Sequence, residues 1–338
     1  MPIVGIVIAM IIAPLDLLPL LLTPLPETVE EQLADAIDLG LDGIIVYVDE
    51  GGEEPAFYSA GLKNKLTGEP ADPQAYFKIG SVHKLYMASA VAKVIGSGKL
   101  TLEDRVVDLL PELSGRIENG ISIKMLVQHR SGIPNFTDSR EFDWFAPEID
   151  EDDALELVLD QPANFPPDTR YQYSNTNYLL LGKILDTVLG FSHRLYVYEE
   201  ILEVLGLSNT FFSIEEVEFD GLTSGYWYEN EDDLRFLGGS MIATAQDVGV
   251  FIRALNDGSL FNDREQAIYS SIYELEHDGW VPGDHSKARY YEDTDTVIVQ
   301  FVNTTGGETW GLADVVGGKA TAFSNIVHNR IVRILRKE

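Results

Sequence analysis

Apolar positions recur with helical spacing near both ends of the chain and with strand spacing just inside them. Val29, Leu33, Ala36 and Ile37 share one face of a helix that opens at Pro26-Glu27-Thr28 and ends near Gly40. Gly43 to Val48 is a continuous apolar, β-branched run, and the acidic turn Asp49 to Glu54 separates it from Ala56 to Leu62, so the two read as a hairpin. Phe77 to Gly80 leads into a helix at Ser81, where Leu85, Ala88, Ala92 and Ile95 keep the period until Gly96 and Gly98 stop it. From about Leu100 to Asp232 the pattern is mostly helical and loop-rich, with helices expected at 123–129, 152–160, 176–189 and 194–205. Thr244 to Asp247 has the form of a capping box and opens a helix through Leu255. Ile272 to Glu276, Ser286 to Tyr291 and Thr296 to Val302 read as strands, and Thr321 to Leu335 as a closing helix.

Strands at both ends with helices between them predict an α/β (α+β) fold, an antiparallel sheet flanked by N- and C-terminal helices, plus an all-helical lobe. The expected boundaries are an apolar N-terminal segment at 1–25, an α/β lobe from 26–100 and 238–338, and a helical lobe at about 101–237. With 45% hydrophobic residues in 338, a sizeable core is expected.

Charge narrows the partners. Fifty-five acidic against 24 basic residues give a net charge of −31, which disfavours nucleic acid and anionic membrane surfaces. The acid is spread along the chain, in clusters such as Glu27 to Glu31 and Glu229 to Asp233 that read as solvated faces. The absence of cysteine excludes a disulfide, a thiolate metal site and a cysteine nucleophile. Ile3 to Ala13 is an unbroken apolar run, too short to span a bilayer and of the length of a signal-peptide core. No Lys or Arg precedes Lys63, however, and no clear small-x-small cleavage site follows. Periplasmic or otherwise exported location is the expectation from the run itself, with membrane contact through residues 3–22; a cytoplasmic location is the competing reading.

The chemistry begins at Ser81-Val82-His83-Lys84, where helical spacing puts a serine and a lysine on one face. A serine hydroxyl is a poor nucleophile at neutral pH, and a desolvated lysine of lowered pKa is a base that can activate it. Tyr173-Ser174-Asn175 lies in a polar loop just before an apolar-periodic helix: Tyr173 can transfer protons, and Asn175 can bond Lys84 or a substrate amide. His277-Asp278-Gly279 is followed by Trp280, at the end of the expected 272–276 strand. A glycine there lets substrate approach the strand edge, where backbone N–H groups can bind a developing oxyanion.

These three motifs, in this order, resemble those of the penicillin-recognising serine hydrolases: Ser-x-x-Lys, Tyr-x-Asn, then Lys-Thr-Gly or His-x-Gly. That superfamily includes class C β-lactamases, D-alanyl-D-alanine carboxypeptidases, D-aminopeptidases and β-lactamase-like esterases. The stretches Phe77 to Lys84, Leu126 to Pro134 and Gly238-Gly239-Ser240 are similar to it as well, and the likeness runs over roughly residues 28–335. The resemblance implies that Ser81 is acylated, that Lys84 accepts its proton or activates it electrostatically, and that Tyr173 shuttles protons to the leaving group. It implies that Asn175 orients Lys84 and substrate, that the N–H groups of Ser81 and Trp280 form the oxyanion hole, and that His277 and Gly279 line the substrate site. Whether Lys84 or Tyr173 is the working base is left open by the motif.

Histidine at 277, where typical class C enzymes carry lysine, points towards the D-peptidase and esterase branches, with Lys287 or Arg289 as sources of the missing positive charge. The resemblance therefore implies a hydrolase of small amides, esters or short peptides, with β-lactamase activity, a non-hydrolytic penicillin-binding sensor and a catalytically silent scaffold as alternatives. No Gly-x-Ser-x-Gly elbow, His-Glu-x-x-His helix or phosphate-binding loop occurs, and no cofactor or metal is expected. Composition and motifs leave the oligomeric state open.

Overall fold

The computed structural model describes residues 23–51, 53–146, 149–237, 239–307 and 318–337. The apolar run 3–13, most of the expected segment 1–25, and Gly238 lie outside the described residues. Among the described residues no helix is long and apolar enough to cross a membrane, and no group of His, Asp or Glu side chains is placed to hold a metal ion.

In chain order the principal elements of the first half are α1 (Val29–Asp38), β1 (Gly43–Glu50), β2 (Ala56–Asn64), β3 (Glu69–Pro70), β4 (Phe77–Lys78), α2 (His83–Gly96) and α3 (Ile123–Val127). The second half holds α4 (Glu151–Glu156), α5 (Thr176–Leu189), α6 (His193–Val197), β5 (Ile242–Ala243), α7 (Ala245–Asp257) and α8 (Asp263–Ile272). It closes with β6 (His277–Val281), β7 (Asp284–Tyr291), β8 (Thr296–Val302) and α9 (Gly318–Leu335). The chain divides into a sheet unit, residues 1–81, 211–249 and 278–338, and a helical unit, residues 82–210 and 250–277.

The sheet unit is built on six strands in the order β3-β2-β1-β8-β7-β6. The pairings of β1 with β2 and β8, of β8 with β7 and of β2 with β3 are antiparallel. Helices α1 and α9 pack on one face. There Leu33 and Ala36 of α1 and Phe323, Val327 and Ile331 of α9 meet Ile44, Val46 and Val48 of β1 and Ile298 and Val302 of β8. The other face is buried too: Ile45 and Tyr47 of β1 and Val299 and Phe301 of β8 are at most 2% exposed, and Phe77 stacks on Phe301 with centroids 4.9 Å apart. Burial on both faces is why the β1 sequence is a continuous apolar run with no polar alternation. Gly249 sits against Tyr47, where a Cβ would come within 2.2 Å of the ring.

Beneath this apolar layer lies a charged pair. Lys78 of β4 and Asp284 of β7 are both fully buried, with Nζ 3.0 Å from Oδ2. Lys78 also donates to the carbonyls of Leu234, Leu237 and Pro282. Burial pushes the Asp284 carboxyl up to about 6 in spite of the lysine.

The helical unit surrounds α2, which buries eleven of its fourteen residues. The spacing of Leu85, Ala88, Ala92 and Ile95 predicts one apolar face; the structure buries α2 on nearly all sides, because α5, α6 and α8 pack around it and Ala88, Ser89, Ala90 and Ala92 are small enough to admit them. The sequence-based boundaries differ from these units in three places, one of them residues 250–277, expected in the α/β lobe and found in the helical unit. The Lys84 helix belongs to the helical unit, and residues 211–237 belong to the sheet unit, where Tyr226 and Trp227 pair with Thr304 and Thr305.

The expected strand Ile272 to Glu276 does not exist. Asn262 and Glu265 form a reciprocal capping box that starts α8, and the helix runs on to Ile272. The strand begins at His277, so the histidine opens β6 where the end of a strand was expected.

Lys78→Met should destabilise the protein by about 3–5 kcal/mol at pH 7.5 by leaving the Asp284 carboxylate buried without its cation. Because Asp284 takes up a proton below about 6, the loss should shrink at pH 5, and denaturant unfolding at the two pH values measures both. Equal losses at the two pH values would show that the charge is not the source.

Candidate active site

The helical unit holds Lys84 and Tyr173, the expected proton-transfer residues. Lys84 lies in the first turn of α2, 1% exposed, and its ammonium would stand in an apolar helix core. Nζ donates to Asn175 Oδ1 at 2.8 Å, and the rings of Tyr173 and Tyr178 lie 5.0 and 5.4 Å from it. Burial pushes the Lys84 amine down to about 7, because an ammonium enclosed there loses most of its hydration. Asn175 is fixed in turn: its N–H donates to Asn135 Oδ1 at 2.9 Å and its Nδ2 to Thr137 Oγ1 at 3.2 Å.

His129 is a member of this site that the motifs do not reveal. It is 3% exposed and adopts a left-handed backbone, φ 54°, just past the C-terminus of α3, a position that glycine or asparagine normally takes. Its side chain explains its presence. Nδ1 accepts from the Ser174 N–H at 3.1 Å, and the ring lies against Tyr173 with centroids 4.5 Å apart. Burial first, then the nearby charges of Lys84 and His277, push the imidazole down to about 3, so it is neutral and its proton sits on Nε2. Tyr178 and the Asn135–Thr137 pair are likewise absent from the motifs. The only sequence signal for them is proximity to the Ser-Gly-Ile-Pro stretch and to Tyr173-Ser174-Asn175.

A cavity of about 670 Å³ in the helical unit is lined by Tyr173 and His277 together with Tyr171, Tyr273 and His129. Tyr273 stacks on His277 at 6.2 Å and lies 5.9 Å from Tyr178, so an aromatic chain runs from Tyr178 to the start of β6.

The sheet unit holds the turn of Ser81, the expected nucleophile, and the strand edge. Ser81 lies in the 3-10 turn Gly80–Val82, which runs directly into α2, so Lys84 follows it by three residues of continuous helical backbone. The turn is pinned: Gly80 N–H donates to Ser240 Oγ at 2.8 Å, and Ile79 accepts from Ser286 Oγ at 2.7 Å. Gly80 has φ +52°, and a Cβ on it would come within 2.6 Å of the Trp280 nitrogen. A Cβ on Gly279 would sit 1.9 Å from the Ile79 carbonyl oxygen. Backbone meets backbone here, which places the Trp280 amide beside the residue preceding Ser81 and requires glycine at 279.

Lys287 and Arg289 do not supply a loose positive charge. Two residues apart on β7, they share one face. Lys287 Nζ lies 3.0 and 3.1 Å from the two Asp278 oxygens and 2.9 Å from Asn325 Oδ1, and Arg289 lies 2.6 Å from Asp278. Burial alone would raise the Asp278 carboxyl, but Lys287 and Arg289 hold it below the usual range.

The chain matches the beta-lactamase family model over residues 26–271. It is 29% identical over 180 residues to penicillin-binding protein 4 of Amycolatopsis lactamdurans, covering 51% of this chain and 45% of the relative. Teichoic acid D-alanine hydrolase of Staphylococcus aureus is 25% identical over 229 residues, 65% of this chain and 55% of the relative. The chain thus spans about half the length of the curated relatives it matches. In three dimensions it resembles the D-amino acid amidase of Ochrobactrum anthropi SV3, with a TM-score of 0.80 at 19% identity over 91% of this chain and 97% of the other. It also resembles a penicillin-binding protein of Bacillus halodurans, with a TM-score of 0.74 at 21% identity over 91% of this chain and all of the other. At these identities the likeness establishes the fold alone: an antiparallel sheet with flanking helices, and a helical unit.

Carbon-13 labelling of the lysine ε-carbons should reveal one resonance that titrates near pH 7 and is missing from Lys84→Ala. A Lys84 signal titrating near 10 would contradict the burial argument.

Proposed function

Because the chain belongs to the beta-lactamase family, we propose that it is a serine hydrolase that forms an acyl-enzyme on Ser81 and cleaves small amide or ester substrates of D-amino acids. The observation that carries this reading is the Lys84 amine, buried, lowered to about 7 and held by Asn175 one helical turn from a serine. A lysine of that pKa is a free amine for much of the time at neutral pH and can take the Ser81 hydroxyl proton as Oγ attacks the substrate carbonyl carbon. The carbonyl oxygen becomes an oxyanion, which accepts hydrogen bonds from the N–H groups of Ser81 and Trp280. Collapse of the tetrahedral intermediate breaks the bond to the leaving nitrogen or oxygen, and Tyr173 delivers the proton that the leaving group needs. The Lys84 ammonium returns a proton to Tyr173 and is a free amine again; water then attacks the acyl carbon as Lys84 takes its proton, and that proton passes to Ser81 Oγ as the acyl–oxygen bond breaks and the acid leaves.

The lowered pKa favours Lys84 over Tyr173 as the base for the first step. His277 in the third motif favours an amidase, peptidase or esterase over a β-lactamase, because it replaces the permanent cation of a lysine and Lys287 and Arg289 are engaged by Asp278. Two relatives are named as a D-amino acid amidase and a teichoic acid D-alanine hydrolase, and both names specify a D-amino-acid group. That supports a D-aminoacyl substrate here.

Incubation with a short-chain p-nitrophenyl ester and with a D-alanyl-D-alanine peptide, followed by product release and intact mass, tests the proposal. Turnover and a covalent adduct should both vanish in Ser81→Ala, and the reading fails if either survives there. With Lys84 as base, kcat/KM should fall tenfold per pH unit below about 7, where the lysine is an ammonium, and level off above it. Tyr173→Phe should slow release of an amide leaving group by about 10²–10⁴-fold.

A further inference from the structure

The cavity beside Tyr173 carries more than proton-transfer geometry requires. Tyr171, Tyr173 and Tyr273 line it, with His129 behind Tyr171 and Tyr173 at centroid distances of 5.9 and 4.5 Å. Phenol rings present electron-rich faces that attract cations. Four charged side chains also line the cavity. Arg130 and Asp168 neutralise each other, with Nε 2.6 Å from Oδ1. Glu274 and Lys124 remain, and among the described residues neither forms an ion pair. Glu274 is the one next to the rings: burial first, then its carboxylate, raise Tyr171, and it also contributes to raising Tyr273. A second observation points to a ligand. His129 Nε2, which carries the imidazole proton because Nδ1 accepts from Ser174, is buried without a hydrogen-bond partner.

We propose that this cavity is a leaving-group subsite for an amino acid or short peptide bearing a side-chain ammonium, with Glu274 and the faces of Tyr171 and Tyr273 receiving the cation and His129 Nε2–H donating to a carbonyl or carboxylate oxygen. The inference rests on the acyl-serine reading above, in which Tyr173 protonates the leaving group, so that whatever lies beyond its hydroxyl is the departing part of the substrate. The cavity is large enough for one amino-acid side chain and its carboxylate, and the acidic surface of the protein favours a cationic partner over an anionic one.

Acetyl-D-alanyl-D-lysine and acetyl-D-alanyl-D-norleucine differ at the side-chain terminus, and their kcat/KM ratio in the full chain tests the subsite. The lysyl peptide should be favoured by about tenfold at low salt, the preference shrinking as sodium chloride is added. Glu274→Gln should bring the ratio close to one, Glu274→Lys should reverse it, and Tyr171→Leu, a change at an exposed residue, should lower it. A ratio near one in the wild type, a preference for norleucine, or a lysyl preference that survives Glu274→Gln overturns the subsite. Intact peptides in the presence of Ser81-dependent ester turnover also overturn it while leaving the acyl-enzyme reading standing. Loss of ester turnover and adduct as well would defeat that reading, and the subsite with it.

Discussion

A lysine amine enclosed in a helix core is the constraint on which the site depends. An ammonium in such a place loses most of its hydration, and only partners that compensate in part allow the residue to be there at all. The partners of Lys84 include the side-chain oxygen of Asn175 and two aromatic faces. That set holds the group in position without restoring the ordinary lysine pKa. A carboxylate in place of Asn175 would stabilise the ammonium and raise the lysine pKa; an apolar residue would take away the oxygen to which Nζ donates. The amide is the choice that does neither.

The helical unit is arranged around that requirement. The small residues of α2 let three other helices close over it, which supplies the desolvation, and the loop carrying Tyr173 and Asn175 is held by groups that are themselves buried. His129 accepts a strained backbone so that its imidazole can bond Ser174 and brace Tyr173. The sheet unit solves a different problem, the close approach of two backbones. Gly80 and Gly279 carry no side chains because the Trp280 amide and the Ile79 carbonyl occupy the space, and Ser240 and Ser286 tie the turn in place. A rigid amide beside the nucleophile turn is what an oxyanion requires, since a donor that must reorganise during reaction contributes little.

Much of this was legible in the sequence where the signal is local. The β1 and β8 runs, α1, α5 and α9 follow from periodicity, and the motifs single out Lys84, Tyr173 and Asn175, which the helical unit brings together. Two features were not. The segment 272–276 has the β-branched and aromatic composition of a strand, but the Asn262–Glu265 box committed the preceding residues to a helix that carries through Ile272, and strand pairing begins only at His277. Propensity over five residues cannot outweigh a capped helix arriving from the N-terminal side. The unit boundaries also escaped, because membership depends on packing partners far along the chain. Nothing local tells that Tyr226 will pair with Thr304.

The charges show the same division between local pattern and tertiary partner. Lys287 and Arg289 read in sequence as exposed cations free to attract a substrate carboxylate, and pairing with Asp278 removes that freedom. Both are engaged, and histidine stands at the third motif where the resemblance leads one to expect lysine. The side chains left without ion-pair partners around the Tyr173 cavity include Glu274 beside tyrosine faces. Selectivity in this protein is therefore argued from which charges remain after internal pairing. The net charge of −31 sets the long-range field, and the few unpaired groups near the chemistry decide which end of a substrate it draws in.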